Sequence, residues 1–92
     1  MDAQAVAIRR VTLVADVTTP IYPPREAQDV TIGNATPGDV VLYSTPDEPS
    51  AFLVIAAGFE RQLTVRHIHF RSGQVAFWLT ANNDGEVVLI WV

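Results

Sequence analysis

The sequence predicts an all-β fold: a small antiparallel β-sandwich, jelly-roll or immunoglobulin-like, built from about eight short strands. Three observations lead there. Short runs rich in Val, Ile, Leu, Phe and Thr recur at a spacing of roughly 8 to 12 residues. Gly, Pro, Asn, Asp and Ser punctuate the gaps between them. No segment carries an apolar stripe at helical spacing long enough to pack a helix.

The elements follow in order. Residues 3–8 are ambiguous, because Ala3, Ala5 and Ala7 suit a helix or a loose arm as well as a strand; residues 1–10 are a candidate flexible or exchanged arm, with a strand candidate at 6–8. In residues 11–17, Val11, Leu13, Ala15 and Val17 alternate with Thr12, Val14 and Asp16, the pattern of a one-faced strand. Pro20, Pro23 and Pro24 then remove three backbone donors, so 18–25 reads as an extended crossing loop that presents Ile21 and Tyr22 as anchors. Strands are expected at 29–33, 40–44, 51–56, 59–65, 66–70 and 75–80, with turns at 34–38, 57–58 and 72–73 and a Pro-flanked loop at 45–50. In the strand at 59–65, Phe59, Arg61, Leu63 and Val65 share a face. Asn82, Asn83, Asp84 and Gly85 form a strong hairpin signal, since these residues tolerate the positive φ of tight turns. That turn is expected to pair 75–80 directly with the terminal strand.

The terminal strand, Glu86 to Val92, is apolar on both sides: Val87, Leu89 and Trp91 on one, Val88, Ile90 and Val92 on the other. Phe77 and Trp78 make the preceding strand two-faced as well. A two-layer domain has a single inside, so the second side calls for another layer, a subunit or a partner. Ile21, Tyr22, Trp78, Ile90, Trp91 and Val92 are therefore the candidate interface residues.

Composition points the same way. A chain of 92 residues makes a single domain spanning 1–92, and a domain of this size buries only about 60 to 65% of its extended surface. With 49% hydrophobic and 17% charged residues and a mean hydropathy of +0.22, it carries more apolar surface than one small core hides, which favours a homo-oligomer or docked subunit. The net charge is −4, all six basic residues are Arg, and this balance disfavours direct nucleic-acid binding. No run approaches membrane-spanning length, and the start resembles no secretory signal. The expectation is a protein made and used without export, away from membranes.

Cysteine is absent, which excludes disulfides and thiolate chemistry. His67 and His69 would share a strand face with Cα atoms about 7 Å apart, near enough for one metal ion. This His-x-His pair is similar to that of the cupin family of metal-binding barrels. The surroundings depart from it: Gly58 lies too far upstream, no acid follows among Phe70, Arg71, Ser72 and Gly73, and no later His completes a ligand set. A catalytic metal wants three protein donors, so neither metal nor cofactor is expected. Arg61, Arg66, His67, His69 and Arg71 instead form a candidate charged patch for an acidic partner, or a solvated strand face. Ser44, Ser50 and Ser72 sit in turns without a nucleophile elbow, the glycines are isolated, and Asp47 and Glu48 lie on a solvated loop. The expectation is a protein without enzymatic activity.

Three segments carry a resemblance: VTIGNATPGDVVLYSTPDE, IAAGFERQLTV and SGQVAFWLTANNDGEVVLIWV. Their layout, over about two thirds of the chain, resembles small structural proteins of tailed-bacteriophage particles. The resemblance implies a β-sandwich that decorates or cements a capsid, often as a trimer, with the viral major capsid protein as partner and the virion as its location. The alternatives are a sugar-binding or tail-fibre β-domain, using Trp78 or Tyr43, and a cupin-like metal-binding protein.

Overall fold

The fold is seen in a computed structural model that describes residues 7–24, 27–44, 51–64 and 74–92, without the side chains of 51, 52 and 64. Eight strands appear among these residues: β1 (Ala7–Leu13), β2 (Thr19–Ile21), β3 (Asp29–Asn34), β4 (Val40–Tyr43), β5 (Ala51–Ile55), β6 (Glu60–Thr64), β7 (Phe77–Ala81) and β8 (Gly85–Trp91). They form two four-stranded antiparallel sheets, sheet A in the order β1-β8-β3-β6 and sheet B in the order β2-β7-β4-β5. Every connection except β4 to β5 passes from one sheet to the other. The chain is in effect one long hairpin, in which β1 pairs β8, β2 pairs β7, β3 pairs β6 and β4 pairs β5. Rolled up so that β8 also pairs β3 and β7 also pairs β4, it is a jelly roll, which decides between the two sandwich types expected from sequence.

Alternation places the core. Val30 and Ile32 of β3, Val40 and Leu42 of β4, Phe77 and Leu79 of β7, and Val87, Leu89 and Trp91 of β8 all point between the sheets and are fully buried. Leu13, Ile55 and Leu63 close the margins.

The turn at 82–84 differs from the expected hairpin. It joins β7 of sheet B to β8 of sheet A, so the strands it connects are not ladder partners. Asp16 (φ 62°) and Gly58 (φ 81°) are the described residues with positive φ, so Asn82 to Gly85 does not use the backbone that a two-residue hairpin demands. Distant partners hold the corner instead. The Asn82 amide donates to the Asp39 carbonyl at 3.1 Å, and the Ala15 amide donates to Asp84 Oδ1 at 2.7 Å. Gly85 packs so closely that a Cβ there would lie 2.9 Å from Thr36 Cα.

Two further boundaries move. The strand candidates at 6–8 and 11–17 are a single strand that ends at Leu13, because Ala15 bridges to Ala81 and Asp16 turns the chain with its amide on the Ala81 carbonyl. The expected loop at 18–25 contains β2, which accommodates Pro20 because β2 is an edge strand of sheet B. The strand candidate at 66–70 and residues 1–6 of the N-terminal arm lie outside the described residues.

One polar cluster pins the end of the sandwich near the 82–84 corner. Asn34 and Thr36 are 3% exposed. Asn34 Nδ2 donates to the carbonyls of Gly38 and Ile55, both at 2.8 Å. Its Oδ1 accepts from the Thr36 amide at 2.9 Å and the Thr36 hydroxyl at 2.7 Å. Each partner is matched donor to acceptor, which is what permits a buried amide.

Candidate interaction faces

Side chains that point away from the core divide into two opposite faces. On sheet B the register places Pro20, Trp78 and Tyr43 side by side across β2, β7 and β4. Tyr22 follows β2 at 52% exposure, flanked by buried Ile21 and Pro23, so alternation sets it on the same side as Pro20. The next row carries Thr80, Val41 and Val54 across β7, β4 and β5. Val54 is 54% exposed, and Thr18 and Thr80 share a hydroxyl hydrogen bond at 3.0 Å. Pro20, Trp78 and Tyr43 stand a strand spacing apart in a row about 10 Å long.

On sheet A the outward row across β1, β8, β3 and β6 is Arg10, Val88, Gly33, Glu60, and the adjacent row is Ile8, Ile90, Thr31, Gln62. Ile8 is 66% exposed, while Val88, Ile90 and Val92 are half-buried by their neighbours within the sheet. Because Gly33 has no side chain, an open hollow of about 280 Å³ lies above it, bounded by Val88, Ile90, Thr31 and Phe59. Phe59 is 66% exposed at its rim. Gly58, with its positive φ, turns the chain there, and its amide donates to the Asn34 carbonyl at 2.9 Å.

Of the interface residues expected from sequence, Tyr22 and Trp78 belong to the sheet B face and Ile90 and Val92 to the sheet A face. Ile21 and Trp91 do not reach a surface. They are 3% and 0% exposed and belong to the chain's own core, Ile21 because the β2 register sets it opposite Phe77 on the inner side. Trp91 is on the inner parity of β8, where it stacks on Phe77. The last two strands are thus not one doubly covered hairpin; each contributes an outer side chain to a different face.

Of the charged patch, Arg61 is described. It is exposed on β6, opposite Ile32, at the open margin between β5 and β6 beside Val54 and Phe59. Leu63, two residues on, is buried, whereas Phe59 is not, so of the described residues on the face expected for 59–65 Leu63 enters the core, and Val65 lies outside the described residues. Arg66, His67, His69 and Arg71 lie outside the described residues, as do Asp47 and Glu48. Among the described residues, no three His, Cys, Asp or Glu side chains converge as a metal site requires, and no helix is long and apolar enough to cross a membrane.

The glycine hollow was the feature hardest to foresee. Gly33 looks like a turn residue in sequence, and only the register, which sets it between Val88 and Glu60, shows it to be the floor of a depression in mid-strand.

Comparison of the chain with protein-family models, with curated proteins and with solved structures returned no match. What fold and surface define is a class: a jelly-roll sandwich, eight-stranded among the described residues, with apolar side chains on the outside of both sheets.

Proposed function

We propose that the chain is a non-enzymatic assembly module, a capsid decoration or cement protein that braces the shell subunits of a virus particle by burying apolar surface. The observation that carries this reading is the strip of Pro20, Trp78 and Tyr43, with Tyr22 beside it, on the outer side of sheet B. Aromatic side chains of this kind supply most of the energy where protein surfaces meet. The viral setting rests on the resemblance of the sequence to phage particle proteins. Co-sedimentation of the purified chain with empty capsid shells tests it: the chain should pellet with shells, and Trp78→Ala should remove it from the pellet while leaving it folded. If wild type and Trp78→Ala both stay in the supernatant, the reading fails.

A second reading, a glycan-binding domain, is favoured by the same row, because partly exposed aromatic rings can stack on the apolar faces of sugars. Trp91 is buried, so any change in tryptophan emission on adding oligosaccharides would report Trp78. A flat titration against a glycan panel removes that reading.

A further inference from the structure

The outer face of sheet A is self-complementary, and we propose that it joins two copies of this chain face to face about a two-fold axis. The axis lies in the plane of contact, parallel to the strands and between β8 and β3. This deepens the assembly reading above by naming a partner for the face opposite the aromatic strip.

One row of side chains sets the symmetry. Arg10, Val88, Gly33 and Glu60 cross the sheet in that order on β1, β8, β3 and β6. Arg10 and Glu60 are exposed and stand three strand spacings apart, about 14 Å, too far to pair within one chain. A two-fold axis between β8 and β3 reverses the row in the second copy. Arg10 of each copy then faces Glu60 of the other, giving two opposite-charge pairs, and Val88 of each copy enters the hollow over Gly33 of the other. In the next row Ile90 meets Thr31. Aligned sheets pack at about 30° to each other, an offset that the long Arg and Glu side chains absorb at the rim. An axis perpendicular to the strands would instead set β1 over β1, and would not exchange Arg10 with Glu60.

Size sets the expected affinity. Four strands at about 4.8 Å spacing and about 20 Å of strand length give a footprint of roughly 400 Å², so the contact buries less than about 1,200 Å² in total and belongs to the weak, reversible class. A dissociation constant in the micromolar range follows.

The hollow also supplies a clean variant. A Cβ at Gly33 would meet nothing closer than Val88, at 3.8 and 3.9 Å, so a side chain is accommodated by the monomer but fills the space that Val88 of the second copy needs.

Sedimentation equilibrium of the purified full chain across the micromolar range provides the test, with circular dichroism confirming that each variant is folded. The expected result is a monomer–dimer equilibrium that weakens with salt. Arg10→Glu, Glu60→Arg and Gly33→Val should each raise the dissociation constant about tenfold or more, and Arg10→Glu combined with Glu60→Arg should restore it. A monomer throughout, a trimeric mass, or a dimer indifferent to both charge reversals would overturn the proposal. The experiment contains no shells, so its failure leaves docking through Trp78 standing, and failure of docking leaves the dimer standing.

Discussion

Trp91 of β8 lies stacked on Phe77 of β7, ring centroids 6.1 Å apart and planes at 26°. The two rings come from strands that adjoin in sequence but belong to opposite sheets; Trp91 ends β8 and Phe77 begins β7, so the contact fastens sheet A to sheet B at one end of the core. It is a packing contact between layers.

Trp91→Ala should therefore act on folding first. Removing a fully buried indole leaves a large cavity, and the cost is about 3–5 kcal/mol, a large share of the roughly 5–10 kcal/mol that holds a domain of this size. Urea denaturation is expected to show a midpoint displaced to low denaturant or no folded baseline. A double-mutant cycle with Phe77→Leu should give a coupling of about 0.5–1.5 kcal/mol between the rings.

The Asn34 cluster predicts an asymmetry between two conservative changes. Asn34→Ala removes the donor to two carbonyls and the acceptor for Thr36, and should cost about 2–3 kcal/mol. Asn34→Asp keeps the acceptor but turns an oxygen toward the Gly38 and Ile55 carbonyls, and should cost more. Thermal unfolding of the two variants and wild type gives the order.

Glycines separate in the same assay. At Gly85 a methyl would press within 2.9 Å of Thr36 backbone, which cannot yield locally, so Gly85→Ala should destabilise by about 1–3 kcal/mol. At Gly33 the space is open and the backbone is ordinary strand, so Gly33→Ala should stabilise the monomer by about 0.5 kcal/mol. Opposite shifts of the melting temperature are the expected outcome.

Acrylamide quenching distinguishes the two tryptophans. Trp78 is half-buried on the outer face and Trp91 fully buried, so wild type should show one accessible and one shielded population. Trp78→Phe should leave the shielded one alone.

Much of this was legible in sequence because strand alternation is a local signal. Val87, Leu89 and Trp91 against Val88, Ile90 and Val92 fixed both sides of β8, and Trp78 and Phe77 separated as their adjacency requires. The hairpin expectation failed for a physical reason. Asn, Asp and Gly favour any tight change of direction, and what makes residues 82–85 a corner between sheets is held elsewhere, in Ala15, Thr36 and Asp39. Ile21 was expected as an exposed anchor and is buried; three prolines obscure the alternation of a three-residue strand. The row that unites Arg10 with Glu60 spans 50 residues of sequence and exists only once register is set.

The pairing of β1 with β8, and the seat of β8 between β1 and β3, bear on the order in which the molecule can be made. Sheet A lacks a central member until β8 is made, so β1 and β3 wait, without the strand that lies between them, while β4 to β7 are added. Folding is then governed by closure of the long loop between β1 and β8, and belongs with the slow, millisecond-to-second class of sandwich folders. Throughout that interval the nascent chain depends on dilution or a chaperone to keep its apolar strands from finding one another in the wrong molecule.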